Sequence, residues 1–121
     1  MDAGIGIKEI SGEEYSVLYD AATATVLFQG SLSLTGLEDF APISNLLEAA
    51  IESVPPKLTL NLCQLEFLNS SGISVLSRFV IKVRNQCQTT LIVQGSETII
   101  WQKRSLKNLQ RLMPAMELEW L

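Results

Sequence analysis

Residues 60–72 read Leu60-Asn61-Leu62-Cys63-Gln64-Leu65-Glu66-Phe67-Leu68-Asn69-Ser70-Ser71-Gly72. The leucines that open this stretch alternate with polar residues up to Leu62, which is the period of a strand with one buried face. The apolar residues that follow end at Asn69, Ser70 and Ser71. The side-chain oxygens of these residue types accept hydrogen bonds from the free N–H groups of a first helical turn. The stretch therefore predicts a buried strand, a short apolar loop and a helix that begins at Ser71.

Upstream of this stretch, the sequence predicts a hairpin and one helix. Strand-like runs over 15–20 and 23–30 are separated by Ala21-Ala22, which indicates an antiparallel pair. Thr35 and Glu38 have capping-box spacing, but a proline inside a helix removes a hydrogen bond. We therefore expect a turn first, and then a helix that has Pro42 in its first position and runs to about residue 54.

Downstream, the sequence predicts a helix over 71–86, a short strand over 89–93, a helix from an N-cap at Ser96 to about residue 112, and a last strand over 117–121. The order is β-β-α-β-α-β-α-β. It predicts an α/β fold with a mixed sheet of about five strands and helices packed against it. Residues 1–12 are predicted to be a loose arm or an edge extension, and residues 13–121 to be the domain.

Composition and charge narrow the functions. The 121 residues fit one domain, and the net charge of −4 argues against broad binding to nucleic acid. The charge is uneven, because residues 1–66 hold ten acids and two bases while residues 67–121 hold three acids and seven bases. Lys103, Arg104, Lys107 and Arg111 run along the last predicted helix, a pattern typical of a solvated face. The chain has no histidine, which removes Ser-His-Asp catalysis and the commonest metal ligand. We expect no metal and no cofactor.

The two cysteines and the beginning of the chain indicate a compartment. Cys63 and Cys87 form no CxxC motif, so we expect two free thiols. The first residues lack both the basic region and the apolar region of a signal peptide, and no apolar stretch approaches the length of a membrane helix. We expect a cytoplasmic protein that has no membrane partner.

The stretch 60–72 resembles the signature of STAS domains, the family of bacterial anti-sigma factor antagonists. That signature is a strand ending in Leu-Asp/Asn-Leu, a short apolar loop, and Asp-Ser-Ser/Thr-Gly at the start of a helix. The segment Gly30-Ser31-Leu32-Ser33 also fits the family, as does the order of elements from Tyr15 to Leu121. The resemblance implies a STAS-like domain over residues 13–121.

The resemblance also implies a function. In this family a non-catalytic protein binds an anti-sigma factor that is a serine kinase, phosphorylation of the first serine of the motif ends the binding, and a PP2C-type phosphatase restores it. By position that serine is Ser70. The implied partner surface is the loop after the second strand together with the start of the 71–86 helix. Its residues are Ser31, Ser33, Asn69, Ser70, Ser71, Ser74 and Arg78.

Two departures from the family pattern leave a second interpretation open. Asn69 and Ser33 stand where the family carries aspartates, so both carboxylates near the implied partner surface are missing. This favours a constitutive, non-phosphorylated STAS scaffold or interaction module. A third hypothesis, a small serine enzyme, is disfavoured because the chain lacks histidine and has no Ser-x-x-Lys around Ser70. Helix capping by itself would also account for the polar residues at 69–71.

Overall fold

In the computed structural model, the described residues, 7–86 and 88–121, form six strands and three helices. The strands are β1 (Ile7–Ser11), β2 (Tyr15–Asp20), β3 (Thr25–Leu32), β4 (Lys57–Leu68), β5 (Thr90–Gly95) and β6 (Glu117–Trp120). The helices are α1 (Gly36–Glu52), α2 (Ser70–Gln86) and α3 (Ile100–Leu112). The predicted α/β class and the alternation of helices with strands are confirmed, and the sheet has one more strand than the expected five. Cys87, expected to be a free thiol, lies outside the described residues.

The six strands form one mixed sheet in the order β1-β2-β3-β4-β5-β6. β1, β2 and β3 pair antiparallel, whereas β3 to β6 pair parallel. β1 occupies the edge, so residues 7–11 of the segment predicted as a loose arm or an edge extension belong to the sheet. In the hairpin, Asp20 pairs with Thr25, and the connection is therefore four residues long instead of the two predicted. Asp20 stabilises this turn by accepting a hydrogen bond from the N–H of Ala22 at 3.0 Å.

The three helices lie side by side against one face of the sheet. α1 contacts β1 and β2, α3 contacts β5 and β6, and α2 contacts both other helices. The alternate residues of the strands that face this layer are buried, which accounts for the predicted alternation in β4. Full burial of a leucine stabilises a fold by roughly 2 kcal/mol, so the leucines of β4 contribute strongly. The central members of this core are Val26, Phe28, Phe40, Leu47, Leu58, Leu60, Leu62, Val80, Leu91, Val93 and Leu106.

Helix α1 differs from its prediction at both ends. It begins at Gly36, six residues before Pro42, and the side chain of Thr35 makes no capping hydrogen bond. The helix continues through the proline because Phe40, two residues before it, is buried in the same core as the later apolar residues of the helix. Pro42 itself is exposed, so the hydrogen bond that it removes is on the side open to water. The helix ends at Glu52, and Val54 lies beyond it, exposed and at a φ of 50°.

Strand β4 is longer than predicted, since the expected apolar loop after Leu62 continues as strand to Leu68. β4 contains two irregularities against β3: Leu27 pairs with Asn61 but Gln29 with Gln64, and Gly30 pairs with Leu65 but Ser31 with Phe67. Each places one extra residue in β4. The buried positions therefore change from a spacing of two to a spacing of three, which is why the pattern resembled a loop.

Helix α3 begins at Ile100, and Ser96 does not cap it. Ser96 instead belongs to a turn that precedes the helix, where its hydroxyl accepts a hydrogen bond from the N–H of Thr98 at 3.3 Å. The first turn of α3 carries Gln102, a fully buried side chain that reaches β4. None of the three described helices has the length and hydrophobicity needed to cross a bilayer.

Candidate functional site

The candidate site lies where β3 and β4 end, at the carboxyl edge of the parallel strands. Leu32 pairs with Leu68, and the carbonyl of Leu32 accepts a hydrogen bond from the N–H of Asn69 at 3.1 Å. The loop that follows β3 and the start of α2 are therefore held side by side. This arrangement brings together five of the seven residues expected to bind a partner: Ser31, Ser33, Asn69, Ser70 and Ser71.

Asn69 is the N-cap of α2 and also fixes the neighbouring loop. Its side-chain Oδ1 accepts a hydrogen bond from the N–H of Gly72 at 3.0 Å, the third residue of the helix. Its Nδ2 donates to the carbonyl of Leu34 at 2.8 Å. An aspartate could make the first bond but could not donate the second. The departure from the family signature at this position thus has a structural role, because the amide connects α2 to the loop between β3 and α1.

Ser70 is the first residue of α2, one residue before the predicted start, and its side chain is exposed. Its hydroxyl makes no hydrogen bond within residues 7–86 and 88–121. Ser71 is half-buried and is not the cap, since Asn69 fills that position. Gly72 is buried, and a Cβ there would collide with Leu68. The start of α2 is therefore packed closely on the end of β4, which presents Ser70 to solvent in a fixed position.

Ser74 and Arg78 continue the exposed row along α2. They lie one and two turns after Ser70, about 6 and 12 Å along the helix axis, and both are exposed. The first turn of α2, residues 70–73, contains no base, so Arg78 is the nearest base to Ser70 along the helix. The seven residues therefore lie at the edge and in a row along α2, and Arg78 is the charged one among them.

A groove between α1 and α2 opens beside this row. It has a volume of about 260 Å³, and its apolar floor includes Leu47, Val75 and Phe79. Arg78 lines it, as do Glu48 and Lys82, whose ion pair joins the two helices at 2.9 Å. Leu37, which also lines it, is 49% exposed. The groove could accommodate an apolar side chain of a protein bound along α2.

The side chains at the edge are hydroxyls and an amide, which donate and accept hydrogen bonds. No acid or base among the described residues forms a hydrogen bond with the hydroxyl of Ser70, so nothing there would activate it as a nucleophile. Among the same residues, no group of three or more acidic or cysteine side chains is arranged to hold a metal ion.

No known family model and no curated protein matches this sequence. Solved structures do match. Apo-SiaC from Pseudomonas aeruginosa is 12% identical over 96% of this chain and 98% of that chain, with a TM-score of 0.71. An anti-sigma factor antagonist from Mycobacterium paratuberculosis is 20% identical over 98% of this chain and 90% of that chain, with a TM-score of 0.59.

The chain has the fold of the anti-sigma factor antagonists. The resemblance seen in residues 60–72 is thereby confirmed as a likeness of fold. A third match is a chain in the crystal structure of the diguanylate cyclase SiaD in complex with its activator SiaC from Pseudomonas aeruginosa. The matched chain is 14% identical over 93% of this chain and 97% of its own length, with a TM-score of 0.65. The anti-sigma antagonist fold is thus found in proteins that regulate a partner protein.

Two apolar residues near the edge of this anti-sigma antagonist fold were not singled out from the sequence. Leu37 lies at the start of α1, beside the groove, and Phe67 lies near the end of β4, where it is 48% exposed. Each is a large apolar side chain that does not lie on the buried face of its helix or strand. This position could have identified both residues from the sequence only if the bounds of α1 and β4 had been known, and both elements extend beyond their predicted limits.

Proposed function

We propose that this protein is a non-catalytic regulator that binds a partner protein through the carboxyl edge of β3 and β4 and the exposed row of α2, and that phosphorylation of Ser70 ends the binding. The observation that carries the proposal is the exposed hydroxyl of Ser70 at the first position of α2, without a hydrogen-bond partner among the described residues. A kinase could reach this hydroxyl without unfolding any element.

A phosphate on Ser70 would affect folding and binding differently. Within the domain it would meet the positive end of the α2 dipole, a favourable interaction of roughly 0.3–1 kcal/mol. In an interface shaped for a neutral hydroxyl, the same group would carry about two negative charges that the first turn of α2 does not balance, because residues 70–73 contain no base. The free-energy penalty for burying an unpaired charge is far larger than the stabilisation from the helix dipole. The domain would remain folded while the complex dissociated.

The partner we propose is an anti-sigma factor of the serine-kinase type, with a PP2C-type phosphatase to reverse the modification. SiaC, which shares this fold, is the activator of a diguanylate cyclase, so a signalling enzyme of that kind is the next partner to test. The seven residues of the proposed surface carry five hydroxyls, one amide and one arginine, and none of them is a carboxylate. Its partner therefore has to offer hydrogen-bond acceptors and apolar side chains more than positive charge. We place this regulation in the bacterial cytoplasm.

A constitutive interaction module is the second candidate function. It is supported by the neutral Asn69 and Ser33, which leave the edge without the acidic residues of the family signature. It is also supported by the two hydrogen bonds of the Asn69 side chain, which stabilise the edge without any modification. In this case Ser70 would contribute only a contact.

The two functions are separated by Ser70→Asp and Ser70→Ala. The binding partner, isolated with the parent protein, is titrated by calorimetry with each variant, and thermal melting is recorded alongside. The switch requires that Ser70→Asp weaken binding by about tenfold or more, equivalent to at least 1.4 kcal/mol, with little change in melting temperature. Ser70→Ala should bind nearly as well as the parent. If Ser70→Asp binds like the parent, the constitutive module replaces the switch.

Ser74→Asp is the matched control. Ser74 is an equally exposed serine one turn later, so it tests whether any negative charge on the row has the same effect. Incubation with ATP and the candidate kinase, followed by intact-mass measurement, tests the modification directly. One phosphate on the parent and none on Ser70→Ala is the expected result. A phosphate that persists on Ser70→Ala would assign the modification to another residue.

A further inference from the structure

We propose that the exposed side of α3, together with Phe67, is a second docking surface that binds an acidic amphipathic helix of another protein. We call this surface the α3 patch. It consists of Phe67, Ile100, Lys103, Arg104, Lys107 and Arg111. The proposal goes beyond the regulator proposed above, because it concerns helix α3 and a different partner chemistry.

The apolar part of the α3 patch is unusually open. Ile100 is 95% exposed and Phe67 is 48% exposed. The two line one shallow depression, whose wall includes the half-buried Trp101. The Trp101 indole N–H donates to the carbonyl of Leu65 at 3.1 Å, which fixes the ring against β4. A contiguous exposed apolar cluster with a rigid aromatic side chain is typical of a protein-binding surface.

The basic part of the patch is a row along α3. The helix carries four bases and no acid. None of the four lies within 4 Å of a carboxylate in residues 7–86 and 88–121, where Glu48–Lys82 is the ion pair found. Lys103, Lys107 and Arg111 follow one another at intervals of four residues. Like charges at this spacing destabilise a helix, so the free domain gains nothing from the row, and an acidic partner would relieve the repulsion.

The shape of the patch matches a helix. From Lys103 to Arg111 the row is about 12 Å long, or two helical turns, so an acidic row with the same spacing can pair along it. An apolar residue at the end of that row would cover Ile100 and Phe67. A second copy of this chain fits poorly as the occupant, because a two-fold contact through α3 would bring two basic rows together.

An anionic bilayer fits less well than an acidic helix. Glu66 is exposed and lines the same depression as Phe67, and Glu97 is exposed shortly before α3. A flat anionic surface that covered Ile100 would also approach these two carboxylates, and their like charges would repel it. A single helix lying along the basic row can avoid them. The charges around the patch therefore favour a protein partner.

The α3 patch and the Ser70 surface meet at the end of β4, where Phe67 pairs with Ser31, and extend from there in different directions. Ser33 and the loop that it belongs to follow β3, on the side of α1, whereas Ile100 follows β5, on the side of α3. Substitutions on α3 leave Ser70 and the loop after β3 unchanged, so the two proposals can fail independently.

The test is a fluorescence anisotropy titration of the full chain against two labelled synthetic peptides. Both are helical and carry the same two leucines; one has glutamate at every fourth position and the other has lysine there. We expect the glutamate peptide to bind, the lysine peptide not to bind, and added salt to weaken binding because it screens the charges. Ile100→Ser and Lys107→Glu should each weaken binding by about tenfold or more.

Val54→Ser and Lys57→Glu are the matched controls, an exposed apolar residue and an exposed base away from the patch. Both should bind the peptide like the parent. Lys107→Glu should melt at the same or a higher temperature than the parent, since it removes like-charge pairs, so lost binding would not reflect unfolding. Equal binding by all variants, or no binding by the parent, overturns the proposal. Binding to phosphatidylglycerol-containing vesicles instead of the glutamate peptide overturns it in favour of a membrane.

Discussion

The side-chain amide of Asn69 donates a hydrogen bond to the backbone carbonyl of Leu34, 35 residues earlier in the chain, at 2.8 Å. The Oδ1 atom of the same side chain accepts a hydrogen bond from the N–H of Gly72 at the start of α2. One side chain therefore holds the two segments that form the candidate partner surface, the loop after β3 and the first turn of α2. The position of Ser70 relative to Ser33 depends on this connection.

We expect Asn69→Ala to lower the free energy of unfolding by about 2 kcal/mol, since it removes both a helix cap, typically about 1 kcal/mol, and a hydrogen bond of about 1 kcal/mol. Asn69→Asp should cost less, about 1 kcal/mol or below, because a carboxylate still caps α2 and interacts favourably with its dipole. It cannot donate to Leu34, and the loop should loosen. Urea denaturation measures the first effect, and amide hydrogen exchange of the loop measures the second.

Ser71→Ala is the control for this series. Ser71 lies in the same first turn but is not the cap, so the loss should remain below about 0.5 kcal/mol, as for substitutions away from specific interactions. If Ser71→Ala destabilises the protein more than Asn69→Ala does, the assignment of the cap to Asn69 is wrong.

The sequence alone was sufficient for the elements whose patterns are regular. Leucines at every second position up to Leu62 predicted the buried half of β4, and the helical spacing of apolar residues predicted α2 almost to the residue. It was insufficient where tertiary packing outweighs local preference. Pro42 is tolerated inside α1 because Phe40 is buried in the core on its near side, and the extra residues of β4 are visible only once β3 is aligned with it.

At the candidate site, the local sequence was again sufficient only in part. Ser70 at the start of a helix was predictable, since Asn69, Ser70 and Ser71 are all good capping residues. Which of them is the cap was not predictable, because the choice depends on Leu34, a residue distant in sequence. The α3 patch was only half visible. The basic row could be seen in the sequence, but the proximity of Phe67 to Ile100 follows from the fold.

Gln102 is expected to be a major polar contributor to stability. Its Nε2 donates to the carbonyls of Leu62 and Leu65 at 2.6 and 3.0 Å, and its Oε1 accepts from the N–H of Ser96 at 2.8 Å. β4 has no pairing with β5 beyond Asn61, so these carbonyls have lost their sheet partners. Gln102→Leu would leave the carbonyl of Leu62 and the N–H of Ser96 without this partner, whereas the carbonyl of Leu65 would keep the indole N–H of Trp101. We expect a loss of about 2–4 kcal/mol in urea denaturation.

Gln110→Leu is the matched control for this prediction. Gln110 lies on the same helix, is half-buried and donates one hydrogen bond, to the carbonyl of Met116 at 3.0 Å. The same substitution should cost about 1 kcal/mol there. Equal losses at the two positions would mean that the connection from Gln102 to β4 contributes nothing specific.

Gly30→Ala should be severely destabilising. Gly30 has a φ of 86°, lies at an irregularity of the β3–β4 pairing, and leaves no room for a Cβ, which would collide with the backbone carbonyl of Glu14. Gly36→Ala is the comparison, because Gly36 has a φ of 68° but nothing within 4 Å of a Cβ. We expect Gly36→Ala to cost about 1–2 kcal/mol from conformation alone and Gly30→Ala about 3 kcal/mol or more. Equal melting temperatures for the two variants would contradict this.

Because of Cys63, the free energy of unfolding should decrease as the pH rises into the alkaline range. Burial raises the pKa of its thiol above the ordinary value of 9.0, an effect that a backbone hydrogen bond partly offsets. Well below pH 9.0 the thiol is protonated in both the folded and the unfolded state, and its contribution to stability is complete. As the pH rises through the raised pKa, the unfolded state loses the proton first, so the contribution is lost. Unfolding free energies measured between neutral and alkaline pH should therefore fall more steeply for Cys87→Ser than for the double variant Cys63→Ser, Cys87→Ser.

Alkylation of Cys63 by iodoacetamide tests the raised pKa directly. The rate of alkylation should reach half its maximum only above pH 9.0, and a half-maximal rate below that value would disprove the raised pKa.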